Sequence, residues 1–174
     1  DLLRPEARAA LAANPTFPLM ERFVRDPQAF LQHLNDEGTQ AAWLINYCAP
    51  DVMGYGSEVN DWVAQYAETD PKRLIAVGGY EPRQDGNGRE VIERLQSLGI
   101  RALKIHPVHQ HLRPDGRRLR KALSTCEETN MPVIFHTGSS RFPGAATKYG
   151  DPTRVGHVCD TFPDLQVVLA HGGR

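Results

Sequence analysis

The chain has 174 residues, 20 Lys plus Arg against 21 Asp plus Glu, and a formal net charge of −1. That length suits one domain with a substantial core, and the charge balance removes the electrostatic case for a nucleic-acid or membrane-surface partner. No apolar run approaches the roughly 20 residues that a membrane span needs, and no basic-then-apolar leader opens the sequence. Cys48, Cys126 and Cys159 are too widely spaced for a disulfide framework or a CxxC metal site, so a reducing, cytoplasmic setting is expected. The first residue is Asp1 rather than Met, and the chain is expected to be a piece of something longer.

Residues 1–38 read as a helical N-terminal segment. Leu3 to Ala13 carries helix formers, Asn14-Pro15 stops it, and Phe17, Leu19, Met20, Phe23 and Val24 form an apolar cluster. Asp26-Pro27 pairs an N-cap with proline at the first helical position, and Gly38 closes the helix that follows. From residue 39 the texture becomes βα. The runs Ala41–Tyr47, Leu74–Tyr80, Ile100–His106, Pro132–His136 and Leu165–His171 read as strands. Amphipathic helices lie between them, starting at Ser57 or Asn60 and after Gly88, Pro114 and Pro152. Ala41–Tyr47 looks buried on both faces. Strands alternating with helices argue for parallel pairing with right-handed crossovers. Periodicity alone leaves an open doubly wound sheet and part of a (β/α) barrel both available, but no GxGxxG or P-loop follows any strand.

Three successive strands end in histidine followed by a loop: Lys104-Ile105-His106-Pro107, Ile134-Phe135-His136-Thr137-Gly138 and Leu169-Ala170-His171-Gly172. Carboxyl ends of parallel strands carry the chemistry in α/β domains. Alternation along a strand puts Ala102, Lys104 and His106 on one face, Ile134 with His136, and Val167 and Leu169 with His171. Neutral imidazole is both a metal ligand and a base near neutral pH. No Asp or Glu ends a strand beside these histidines, and Glu81 merely follows the second strand. Lys104 reads as a cation for a substrate carboxylate, a carboxylated metal bridge, or an ion-pair partner. Arg141 and Arg174 are candidates for an anionic group. His109 and His111 alternate in a loop, and His109 is taken as the substrate contact. The stretch 139–151 is long for a βα connection and reads as a lid or a surface excursion. Cys126 and Cys159 are expected in the core, His33 and His157 outside the site, and Arg113 to Lys121 on a solvated face.

Ala102–Pro107, Pro132–Gly138 and Val168–Gly173 together resemble the fourth, fifth and sixth strands of the amidohydrolase superfamily. The nearest branch is the amidohydrolase-related group of hydrolases and decarboxylases similar to aminocarboxymuconate semialdehyde decarboxylase. The resemblance runs from about Asp26 to Arg174. It implies part of a (β/α)8 TIM barrel with a divalent metal, expected to be zinc. It makes His136 the metal ligand and gives His171 the metal or its water, with His106 lining the site. The family's His-x-His pair on strand one and its Asp on strand eight have no match here. His109-Gln110-His111 has the spacing but follows strand four. The resemblance therefore places strands two to six in this chain, as one incomplete domain.

The expected activity is metal-dependent hydrolysis of an amide, lactone or related carboxylate-bearing small molecule. Non-oxidative decarboxylation on the same scaffold is the alternative. A non-catalytic anion-binding module, using Gly138-Ser139-Ser140 and Gly172-Gly173-Arg174 as anion loops, is a second. The partner expected is a small-molecule substrate, and a homo-oligomer is compatible with the composition.

Overall fold

In the computed structural model, residues 3–173 are described. Five strands form one parallel sheet: β1 (Ala42–Ile45), β2 (Leu74–Gly79), β3 (Ala102–Ile105), β4 (Val133–Phe135) and β5 (Val167–Leu169), in the order β1-β2-β3-β4-β5. Each strand adds to the same side of its predecessor. A doubly wound sheet reverses direction at a switch point, whereas a (β/α) barrel does not. The alternatives left open by periodicity are thereby resolved: the chain is part of a (β/α) barrel.

The helices are α1 (Pro5–Ala12), α2 (Phe17–Arg25), α3 (Pro27–Asp36), α4 (Glu58–Ala67), α5 (Gly88–Ser97), the single turn α6 (Pro107–Gln110), α7 (Arg120–Glu128) and α8 (Thr153–Thr161). Their starts follow local rules. Asp26 Oδ1 accepts the N–H groups of Gln28 and Ala29, both at 3.0 Å, ahead of Pro27, and Asn87 Oδ1 accepts that of Arg89 at 3.0 Å. These bonds satisfy amides that the first helical turn leaves free.

The register assigns the two faces. Leu74 and Ala76, Leu103 and Ile105, and Val133 and Phe135 pack with Ile92, Leu95, Leu123, Val155 and Val158 in the main core. The other face carries Trp43 and Ile45, Ile75 and Val77, Ala102 and Lys104, Ile134, and Val168. There Val77, Ala102 and Ile134 form a small buried cluster. Trp43 and Ile45, by contrast, are 45% and 53% exposed. The expectation that the first strand is buried on both faces is corrected. Its outer side packs on helices, while its concave side opens at the edge of a half-barrel. Two further expectations change. Cys126 is buried but Cys159 is exposed. In β5 it is Val168 that registers with Ile134 and Lys104, so Val167 and Leu169 face the helix layer, against the alternation assumed for His171.

One buried polar group locks the sheet's second strand. Asn60, on α4, accepts the Gly79 N–H at 2.8 Å and donates to the Gly79 carbonyl at 3.0 Å. A side chain at Gly79 would overlap the backbone of Tyr47 and Cys48, so glycine lets the β1 loop pass close by. Asn60→Ala leaves two buried backbone groups unpaired, at about 1–3 kcal/mol each. The expected result is a loss of about 3 kcal/mol in urea unfolding. An unchanged midpoint would show that water replaces the amide.

Candidate metal and substrate site

The histidines at the ends of β3 and β4 stand ring against ring. His106 stacks on His136 at 3.9 Å between centroids and on His109 at 3.7 Å. Proline at 107 turns the chain straight into α6, with His106 as its N-cap: His106 Nδ1 accepts the His109 N–H at 3.3 Å. Gln110, one turn on, accepts the His106 N–H at 2.8 Å and donates to the Tyr80 carbonyl at 2.7 Å. The β3 end is thus tied to the β2 end by a fully buried amide. His109 and His111 do not alternate in a loop as expected. His109 lies in the helical turn and is 1% exposed. His111 closes the turn with left-handed backbone (φ 52°) and donates from Nε2 to the Gly144 carbonyl at 2.6 Å.

His171 reaches this group by a different route. Strand alternation would carry it away, but the backbone at His171 is left-handed (φ 62°, ψ 23°). That turn brings its Nε2 to 3.2 Å from His136 Nδ1. Thr137 helps to hold the turn by donating to the Ala170 carbonyl at 2.7 Å. The other nitrogen of His136, Nε2, lies 3.3 Å from the Ser139 carbonyl. A carbonyl only accepts, so Nε2 carries the proton and Nδ1 presents its lone pair toward His171.

Lys104 stands on the concave face below these rings. It is 5% exposed, and among the described residues it forms no ion pair or hydrogen bond. The ion-pair reading finds no partner there. Glu81 is fully buried but engaged: Arg83 grips it at 2.8 and 3.0 Å and also reaches Asp51 at 2.8 Å. No carboxylate from β2 is left for the histidines.

Electrostatically the site is a set of neutral imidazoles above a buried cation. Burial pushes Lys104 down to about 8. Burial, then the charge of Lys104, holds His136 at about 4, and burial, then His136, holds His109 at about 4. Burial and the neighbouring His109, His136 and Lys104 hold His106 lower still. A histidine depressed in the fold binds its proton first in the unfolded chain, near pH 6.5, so stability is full above that pH and falls as pH drops toward 4. Between pH 7.5 and 5.5 the three rings together are expected to cost the metal-free chain about 4 kcal/mol. Equal urea midpoints at the two pH values would refute the buried, neutral cluster.

The stretch from Gly138 to Gly150 is a pinned cover. Gly138 N–H donates to the Gly150 carbonyl at 2.8 Å, and Ala146 N–H to the Val108 carbonyl at 2.9 Å. Phe142 packs edge-on to His109 at 5.3 Å and joins Ala7, Val52 and Met53 in a small core. Ser140 Oγ sits 2.7 Å from His109 Nε2, and Tyr47 Oη sits 3.2 Å from His109 Nδ1. Both ring nitrogens of His109 therefore face protein hydroxyls. The sequence does not single out Tyr47 or Gln110, and it offers Ser140 only as part of a candidate anion loop. Tyr47 ends the first apolar run and Gln110 follows His106 by one helical turn, but neither position is distinctive without the fold. Arg141 is exposed on the cover, and Arg174 lies outside the described residues. His157 is on α8, 3.3 Å from Asp115, apart from the cluster.

The chemistry of the donors suits a divalent ion in part. Two nitrogens about 2.1 Å from one ion stand roughly 3.0–3.4 Å apart, and the His136–His171 separation of 3.2 Å matches that. Among the described residues no group of three His, Cys, Asp or Glu is placed to hold a metal. The described residues offer a pair of ligands, short of the three that a catalytic ion needs.

Residues 18–174 match the amidohydrolase family. The 2-amino-3-carboxymuconate-6-semialdehyde decarboxylase of Dictyostelium discoideum is 25% identical over 179 aligned residues, covering 85% of this chain and 48% of that protein. A TIM-barrel protein of uncharacterised function from Bordetella bronchiseptica superposes with a TM-score of 0.67 at 25% identity, over 91% of this chain and 54% of its own. The 5-carboxyvanillate decarboxylase of Novosphingobium aromaticivorans, complexed with manganese and 4-hydroxy-3-methoxy-5-nitrobenzoic acid, superposes with a TM-score of 0.51 at 19% identity, over 67% of this chain and 38% of its own. The chain spans about half the length of the relatives it matches or less. Among the described residues, no helix is long and apolar enough to cross a membrane.

Proposed function

The chain belongs to the amidohydrolase family, and from that premise we propose that the whole protein is a metal-dependent, non-oxidative decarboxylase of a small carboxylate-bearing molecule. The observation that carries this reading is Lys104, a buried cation without an anionic partner among the described residues, on the face that leads to His106 and His136. A buried cation is costly unless an anion joins it, and a substrate carboxylate would be that anion. The decarboxylases among the relatives support the same choice.

His136 Nδ1 would hold the ion, with His171 Nε2, 3.2 Å away, free to carry the reacting proton. The remaining ligands must come from outside the described residues. The Novosphingobium structure contains manganese, and imidazole-plus-oxygen sites accept several first-row ions, so zinc and manganese are both within the proposal. The ion would supply Lewis acidity toward a substrate oxygen. This chain's residues do the rest. Lys104 neutralises and orients the carboxylate. The stacked rings of His106 and His109 wall off water, and low polarity there favours departure of neutral CO₂ over retention of the anion. His171, exposed at the rim, hands a proton to the carbon left with the bond's electrons. Arg141 and Arg174 remain candidates for a second anionic group.

Hydrolysis uses the same residues, with His171 accepting a proton from water instead of donating one to carbon. Whole protein, stripped of metal and replenished with Mn²⁺ or Zn²⁺, should release CO₂ from hydroxybenzoate-type or semialdehyde carboxylates in a metal-dependent way. Lactone or amide cleavage without CO₂ release would move the assignment to hydrolase. Absence of metal dependence would overturn both.

A further inference from the structure

Three segments that are far apart in sequence meet on the His109 ring. Tyr47 follows β1, His109 follows β3 and Ser140 follows β4, and their polar atoms form a chain with contacts of 3.2 and 2.7 Å. The Phe142 amide donates to Ser140 Oγ at 3.3 Å, which fixes the serine hydroxyl from a second side. The Tyr47 ring in turn packs edge-on to Tyr55, with centroids 6.1 Å apart.

We propose that this Tyr47–His109–Ser140 relay is a positioning device for His136, acting through the carbonyl of Ser139. Ser140 is pinned to a ring that has almost no freedom: His109 is stacked on His106, buried, and held at both nitrogens. The adjacent Ser139 carbonyl accepts from His136 Nε2. It thereby selects the Nε2–H tautomer and leaves the Nδ1 lone pair facing His171. Ser140 touches neither His136 nor His171 through any described hydrogen bond, so its influence runs through the backbone of one residue. An outer hydrogen bond of this type commonly sets a metal-binding histidine's tautomer and orientation. The inference deepens the proposed function and rests on it only for its purpose. The tautomer itself is a property of the metal-free chain.

The test is ring ¹⁵N NMR of histidine-labelled, metal-free protein at pH 7.5, with the His136 signals identified by their loss in His136→Gln. The expected wild-type result is one protonated nitrogen, Nε2, and one bare nitrogen, Nδ1. In Ser140→Ala the two His136 shifts should converge as both tautomers become populated, and Ser140→Thr, which keeps the hydroxyl, should restore the separation. A role confined to stability would lower the unfolding midpoint of Ser140→Ala without moving those shifts, and that outcome overturns the proposal. So does a wild-type His136 protonated on Nδ1. If Ser140→Ala does not fold, Ser140→Cys, with similar size and a weaker hydrogen bond, is read in the same way. Failure of the protein to bind Mn²⁺ or Zn²⁺ would sink the metal reading and leave the tautomer result standing, so the two failures are distinguishable.

Discussion

Replacing His136 by alanine in the whole protein is expected to lower kcat/KM for CO₂ release by about 10³-fold or more, and to reduce bound metal to a small fraction of the wild-type content. The size follows from what the residue does. A metal's polarisation of a substrate oxygen is worth several kcal/mol, and about 4 kcal/mol corresponds to 10³ in rate. His136 is the member of the cluster with a bare nitrogen facing a second imidazole and a backbone carbonyl holding its other nitrogen. His157→Ala is the control. That ring pairs with Asp115 on the outer layer, and its loss should leave both readings unchanged. Metal content and turnover that survive His136→Ala would remove the central ligand from the proposal.

Substituting Lys104 by methionine should make the free protein more stable and the enzyme worse. Burial drops the lysine from its ordinary value near 10.5 to about 8, which corresponds to roughly 3 kcal/mol of unfavourable charge burial at pH 7. The sign is as follows: at pH below 8 the folded protein carries the full penalty, and between 8 and 10.5 the unfolded chain binds more protons, so stability rises with pH across that window. Methionine fills a similar volume with no charge, so the variant should gain up to about 3 kcal/mol near pH 7 and lose the alkaline rise. With the carboxylate's cation gone, KM should increase by at least about tenfold, since a buried charge-assisted contact is worth 1.5–3 kcal/mol. A variant that is destabilised at pH 7, or that binds substrate as before, would show that Lys104 has a partner the described residues do not include.

The two substitutions separate contributions that the fold superimposes. His136 costs the chain little in the neutral form, whereas Lys104 is strained at physiological pH. On the proposed reading the site keeps a destabilising cation for the sake of binding, as local conflicts tend to concentrate where function is exerted.

What the sequence determined by itself was the βα rhythm, the parallel pairing and the placing of histidines at three successive strand ends. These are local properties. A strand buried in a parallel sheet must be apolar over four to six residues, and the polar residue that ends it must sit at the carboxyl edge. The family likeness was legible for the same reason, because its motifs are contiguous strand ends. Only the tertiary structure decided the single winding direction and which face of β1 is open. It also decided that Cys159 lies outside the core. His171 illustrates the limit best. Period-two alternation assigned it a face through Leu169, yet register puts Val168 on that face, and one left-handed residue returns the imidazole to His136. Lys104 was readable as a candidate, but its want of a partner is a fact about space. So is the meeting of Tyr47, His109 and Ser140, which lie 62 and 31 residues apart along the chain. Loop conformations and long-range hydrogen bonds have no period, and only the packed sheet brings them together.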